Sequence, residues 1–179
     1  KVDFKIPKKD IISLAELSPL TRELLDEYSE ANNIVCVNIN AGKICHLRRW
    51  PQENYAELIL GLHDRFGTKT VLIGGKEDVS YVEGFIAKIP KKNDIFNLCG
   101  KLSIKELVDL FNKSRLLITN DSGPLHIASI VGLPTISFFG PETPYLYGPL
   151  GSDHHVFYED IFCSPCIDIY NAKASNCNN

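Results

Sequence analysis

Residues 116–140 read LLITNDSGPLHIASIVGLPTISFFG, and the reading of this stretch decides the fold. LLIT (116–119) is a short apolar run of strand type. NDSG follows as a turn, and PLHIASIVG is a short helix with Pro124 in its first turn and Gly132 just past its end. TISFFG (135–140) returns to strand character. Both strand runs are apolar without alternation, the pattern of a parallel sheet covered on each face. The unit repeats upstream. IVCVNI (34–39) precedes a helical pattern from about 52 to 66 with Tyr55, Leu58, Ile59 and Leu62 on one face. TVLIGG (70–75) precedes a helix near 79–88, and IFNLCG (95–100) is a strand ending in glycine. Ser103 and Glu106 form a capping-box pair for a helix whose Ile104, Leu107, Val108 and Phe111 share a stripe. Five strands alternating with four helices predict a doubly wound, Rossmann-like α/β domain with a parallel sheet. Residues 1–33 read as a linker and lead-in helix, capped at Ser18 or Thr21 and ending at Asn32–Asn33; residues 34–179 read as one ligand-binding domain with a cysteine-rich tail.

The chain has 179 residues, with 19 Lys+Arg against 22 Asp+Glu for a net charge of −3. That balance argues against a protein that holds nucleic acid mainly through phosphate charge. No apolar run approaches the roughly 20 residues of a membrane span, and the charged opening KVDFKIPKKD is not a secretory signal. The sequence starts at lysine and contains no methionine, so it is expected to be a piece of a longer protein. Cys36, Cys45 and Cys99 lie in or beside strand-like segments, where free cysteine behaves as a small buried hydrophobe. With a full α/β core and no secretory signal, the expected compartment is the reducing cytoplasm.

In such sheets ligands bind beyond the carboxyl ends of the strands. The polar loops fall there: NAGKICHLRRWP after the first strand, GGKED after the second, NDSGPLH after 116–119 and GPETP after the last. In NDSGPLH, Asp121 and Ser122 suit an N-cap, Gly123 admits a ligand to the backbone, and the helix N-terminus favours phosphate. His126 falls on the first turn; the same spacing equally serves an ordinary capped helix with a packed histidine. Lys43, His46, Arg48 and Arg49 make a positive loop suited to a diphosphate, or else a solvated basic turn. Trp50 reads as packed. Glu77 and Asp78 can accept from ribose hydroxyls or complement the next helix dipole.

Several familiar sites fail on spacing. G-x-G-x-x-G, G-x-x-x-x-G-K-[ST], G-x-S-x-G and H-E-x-x-H are all missing, so Asp121, Ser122 and His126 are not a hydrolase triad. The tail offers His154, His155, Cys163-x-x-Cys166 and Cys177, an allowed zinc set without the second C-x-x-C. The expectation is no metal there.

Taken in order, INAG (39–42), RRWP (48–51), IGGKED (73–78), NLCGKLS (97–103), NDSGPLH (120–126), FGP (139–141) and CSPC (163–166) resemble the C-terminal domain of glycosyltransferase family 9, the lipopolysaccharide heptosyltransferases. The resemblance implies one half of a GT-B fold, with a nucleotide diphosphate sugar as donor, ADP-heptose first among them. It implies a binding set of Asn40, Gly42, Lys43, Arg48, Gly74, Glu77, Asp121, Ser122, Gly123 and His126. Within it Glu77 would hold the ribose, Asp121, Ser122, Gly123 and His126 the phosphates, and Arg48 and His126 would stabilise charge on the leaving group. Two residues depart from the family pattern: Ala41 stands for the usual proline, and Arg48 for a lysine, which keeps the positive charge. The implied chemistry is inverting transfer of heptose to a lipopolysaccharide core acceptor, without metal or other cofactor, in the cytoplasm or at the inner face of the membrane. The catalytic base would lie on a partner N-terminal acceptor domain, so none is assigned here. The alternatives are another GT-B sugar-nucleotide enzyme such as an epimerase, a non-catalytic nucleotide-binding domain, or a metal or redox module on the tail.

Overall fold

The computed structural model describes residues 33–42, 45–90 and 94–167, so the lead-in helix, Lys43 and Cys177 lie outside the described residues. Six strands form one sheet: β1 (Ile34–Asn38), β2 (Lys69–Leu72), β3 (Ile95–Asn97), β4 (Leu116–Asn120), β5 (Thr135–Phe138) and β6 (His154–Phe157). Their order is β3-β2-β1-β4-β5-β6, and every neighbouring pair is parallel. The helices are α1 (Gln52–Phe66), α2 (Val79–Lys88), α3 (Ile104–Lys113), α4 (Gly123–Val131) and the single turn α5 (Pro144–Tyr147). Among the described residues no helix is long and apolar enough to cross a membrane.

Alternation along β1 explains the layers. Ile34 and Cys36 face a core with Val71, Leu110, Phe111, Leu117 and Ala128, under α3 and α4. Val35 and Val37 face the other core, with Tyr55, Ile59, Val82, Phe85 and Ile118, under α1 and α2. Fully burying a large apolar side chain contributes about 1.5–3 kcal/mol, so two facing layers hold the sheet without help from its edges. The capping box of α3 and the glycine that ends α4 behave as the sequence predicts. Ser103 Oγ accepts from the Glu106 amide at 3.3 Å while Glu106 Oε2 accepts from the Ser103 amide at 2.7 Å. Gly132 closes α4 in the left-handed conformation, φ 69°.

Two differences from the sequence reading stand out. β6 was not among the five expected strands, because HHVF carries only two apolar residues and alternates between half-buried and exposed. Among the described residues it pairs only with β5, at the sheet edge. His154 is thereby a structural residue: its Nδ1 lies 2.9 Å from Thr135 Oγ1 and its Nε2 2.7 Å from the Leu150 carbonyl oxygen. The expected strands also ran too long at their carboxyl ends. Ile73–Gly75 and Leu98–Gly100 lie past the strand ends in loops, though the Gly100 amide still donates to the Gly74 carbonyl at 2.9 Å.

The order 3-2-1-4-5-6 reverses direction between β1 and β4. Chain leaves these two strands toward opposite faces of the sheet, and the gap between them is the crevice of a doubly wound domain.

Candidate functional site

A buried amide frame joins the two strands that flank the crevice. Asn120, at the end of β4, accepts on Oδ1 from the Trp50 amide at 2.9 Å and the Tyr55 hydroxyl at 3.0 Å, and donates from Nδ2 to the Asn40 carbonyl at 3.1 Å. Asn38, at the end of β1, donates to Thr119 Oγ1 at 3.2 Å and Ser122 Oγ at 2.9 Å. Burial pushes the Tyr55 phenol well above its usual range, so it remains a neutral donor. Trp50 stacks on Phe138 with ring centroids 4.2 Å apart and meets Tyr55 edge-on at 5.0 Å. The loop after β1 is thus pinned across the end of β4 to β5, and Trp50 is packed as expected.

That pinning sets Arg48 inside the crevice. Its Nη1 lies 3.3 Å from Asp121 Oδ2 and 3.5 Å from Glu142 Oε2, and its Nη2 donates to the Ala41 carbonyl at 2.8 Å. The three side chains are only 11%, 4% and 2% exposed. Arg48 is therefore a positive group already shared between two carboxylates, with a buried Nε–H that meets no acceptor among the described residues. Glu142 was missed by the sequence reading, which noted the loop GPETP at a strand end but singled out no residue in it. An acidic residue in the loop that follows a buried strand was the available signal.

Asp121 leads directly into α4. Ser122 is the N-cap by backbone geometry, but it makes no side-chain capping bond, which corrects the expected cap. Its hydroxyl instead donates to the Asn120 carbonyl at 3.1 Å and accepts from Asn38. The N-terminal amides of this nine-residue helix are left without a side-chain cap. Gly123 is exposed, and among the described residues nothing beyond its chain neighbours and its own helix backbone lies within 4 Å of where a Cβ would stand. A helix end open in this way, beside a guanidinium, has the chemistry to hold a phosphate. His126 is exposed on the same first turn.

On the other flank, Gly74 follows β2. A Cβ there would overlap the Asn40 amide and lie 2.7 Å from Cys99 Sγ, so only glycine fits. Asn40 spends its side-chain amide on Asn38 Oδ1 and the Ile73 carbonyl, both at 3.0 Å. Gly42, at φ 66°, carries the chain from β1 into the basic loop. Asp78 is buried; it accepts from the Gly75 amide at 3.1 Å and sits 3.9 Å from Arg49 Nη2. Arg49 lies 4.1 Å over the Tyr81 ring. Of the two carboxylates in GGKED, Asp78 is committed to the protein and Glu77 is exposed.

The tail bears on the same site. The Pro141 carbonyl accepts from the Cys166 and Ile167 amides at 2.9 and 3.1 Å, and the Gly140 carbonyl accepts from Ser164 Oγ at 2.7 Å. CSPC thus fastens the loop that carries Glu142. Among the described residues no group of three or more His, Cys, Asp or Glu is placed to hold a metal ion.

Across the adjacent strands β2, β1, β4 and β5 the ends present, in order, Glu77, then Gly42 with Arg48, then Asp121 with Gly123 and His126, then Glu142. Three strand spacings of about 4.8 Å span roughly 14 Å. Lys43, the remaining member of the expected set, lies outside the described residues.

Fold and crevice together define a Rossmann-like domain with a crevice at its topological switch point. The chain belongs to glycosyltransferase family 9 (heptosyltransferase), whose model matches residues 2–175. It is 36% identical over 105 residues to lipooligosaccharide heptosyltransferase 2 of Haemophilus influenzae, a match covering 58% of this chain and 30% of that protein. It is 31% identical over 139 residues to lipopolysaccharide heptosyltransferase 3 of Escherichia coli, covering 76% and 40%. The structure of E. coli ADP-heptose LPS heptosyltransferase II superposes with a TM-score of 0.68 at 25% identity, over 79% of this chain and 44% of that one. The chain spans less than half the length of each of these three proteins.

Proposed function

We propose that this chain is the donor-binding half of an inverting GT-B heptosyltransferase, taking heptose from ADP-heptose for a lipopolysaccharide core acceptor. The observation that carries this reading is the uncapped N-terminus of α4 beside Arg48 at the switch point of a family 9 domain. The E. coli enzyme with the same fold is an ADP-heptose transferase, which favours ADP-heptose over other donors.

In this reading the ribose lies at Glu77, the diphosphate between Arg48 and the α4 amides, and the sugar toward β5. Asp121, Ser122, Gly123 and His126 line the phosphate end, and Asn40, Gly42, Lys43 and Gly74 shape the β1 and β2 side. An acceptor hydroxyl loses its proton to a carboxylate of the partner domain and attacks the anomeric carbon. The bond to the diphosphate breaks, and the negative charge on the departing oxygen is met by the helix end, Arg48 and His126. Such fixed donors act where charge grows and need no metal or cofactor in this reading. The acceptor domain precedes this one, and the work is done on the cytoplasmic side, at the membrane face where the acceptor lies.

Calorimetric titration of the chain with ADP, UDP, GDP and ADP-heptose tests the reading. Selective binding of ADP and ADP-heptose is expected. Preference for UDP or GDP replaces the donor, and silence toward all four removes the assignment.

A further inference from the structure

We infer that Arg49 is a positioning residue of the crevice: it fixes the turn that carries Glu77, and through Glu77 the grip on the ribose hydroxyls. The inference rests on the donor-binding reading above, which puts the ribose at Glu77. The two consecutive arginines after β1 serve opposite flanks of the crevice. Arg48 turns toward β4 and β5, where Asp121 and Glu142 lie. Arg49 turns toward β2 and α2: its Nη2 is 3.9 Å from Asp78 Oδ1, and its Cζ lies 4.1 Å from the centre of the Tyr81 ring. A guanidinium so placed is held by cation–π attraction as well as by charge. The Arg49 and Asp78 side chains are only 18% and 8% exposed, so salt screens this contact less than a surface pair. The amide of the next residue, Trp50, is fixed on Asn120 Oδ1, so Arg49 projects from an anchored backbone.

Asp78 passes the constraint on. Its Oδ2 accepts from the Gly75 amide at 3.1 Å, and its own amide donates to the Gly75 carbonyl at 3.1 Å, which closes the single turn Lys76–Asp78. Cys99 Sγ donates to the same carbonyl at 3.4 Å. Glu77 sits on this turn with its carboxylate folded over Gly75: a Cβ on Gly75 would lie 2.6 Å from Glu77 Oε2 and 2.8 Å from Oε1. Asp78 is buried and Glu77 exposed, so one carboxylate anchors the turn and its neighbour is presented by it. Arg49 therefore ties the loop that holds Arg48 to the turn that holds Glu77, and sets the separation between the grips on diphosphate and ribose. A carboxylate held in place accepts from ribose hydroxyls without first being ordered; one on a loosened turn loses part of that gain to conformational entropy.

The test is the ratio of dissociation constants for 2′,3′-dideoxy-ADP and ADP, by calorimetry, in the unsubstituted chain, Arg49→Gln, Asp78→Asn, Glu77→Gln and the double variant of Arg49→Gln with Glu77→Gln. Both probes carry the same diphosphate, so losing the charge of Arg49 shifts the two constants alike, and the ratio reports the ribose hydroxyls alone. The unsubstituted chain should favour ADP by about tenfold, the ratio that one hydrogen bond to a carboxylate sustains. Arg49→Gln and Asp78→Asn should each lower that ratio by about threefold or more, the scale of coupling within one contact network. Glu77→Gln should lower it by itself, and adding Arg49→Gln should lower it no further, because the arginine acts through Glu77. An unchanged ratio in Arg49→Gln, or a further fall in the double variant, overturns the inference while the donor reading stands. If Arg49→Gln does not fold, an unchanged ratio in Asp78→Asn overturns it. Equal binding of the two probes by the unsubstituted chain overturns the placement of the ribose at Glu77, and this inference with it.

Discussion

Replacing Arg48 with methionine keeps the length of the side chain and removes its charge, taking away the guanidinium that lies against both Asp121 and Glu142. At an effective dielectric of about 20, Coulomb's law gives roughly 5 kcal/mol for each contact at 3.3 and 3.5 Å. Desolvating the guanidinium and holding two carboxylates together offset much of that sum. The expected loss is about 3–5 kcal/mol, the range for removing one partner of a buried pair. Urea unfolding followed by tryptophan fluorescence reads this directly. Trp50 is the only tryptophan in the chain, and it sits two residues from Arg48 against Phe138. Adding Glu142→Gln to Arg48→Met should recover part of the loss, because one of the two carboxylate charges that lay against the guanidinium disappears. A loss below about 1 kcal/mol, the scale of a solvated surface pair, refutes the buried network. So does an absence of any recovery in the double variant.

Gly74→Ala should destabilise the chain by about 1–3 kcal/mol and weaken ADP binding together, since the new Cβ meets Asn40 and Cys99 at the crevice; thermal melting and calorimetry check the pair. Ser103→Ala removes the α3 cap and should cost about 0.5–2 kcal/mol by urea titration, with ADP affinity unchanged, because the cap belongs to a helix that supplies no site residue. Burial pushes the Cys36 thiol from 9.0 to about 12, so the unfolded chain ionises there first and the folded chain holds its proton. Stability should therefore fall as pH rises from 9 toward 12, this thiol contributing up to about 1.4 kcal/mol per pH unit. In Cys36→Ala the alkaline fall measured by urea titration should be shallower; an equal slope contradicts the assignment.

Much of this protein was legible before any coordinates. The apolar runs of β1 and β4 announced parallel strands because each is buried on both faces. Ser103 and Glu106 announced α3 because a capping box is a local device, complete within four residues. NDSGPLH marked the crevice because a strand end, a glycine and a helix start occur together in sequence. These features depend on near neighbours, and a linear reading captures them.

Tertiary structure decided what distant residues do to one another. Asn120 is one letter of a motif until the Trp50 amide, the Tyr55 hydroxyl and the Asn40 carbonyl converge on its side chain. HHVF becomes a strand only because β5 offers it an edge to pair with. Arg48 reads as a free positive charge until the loops after β1, β4 and β5 bring Asp121 and Glu142 to it from 73 and 94 residues away. The sequence alone determined five of the six strands and placed the polar loops at their carboxyl ends, since burial and capping are written locally. The charge balance at that edge was set by chain crossings that no local pattern encodes.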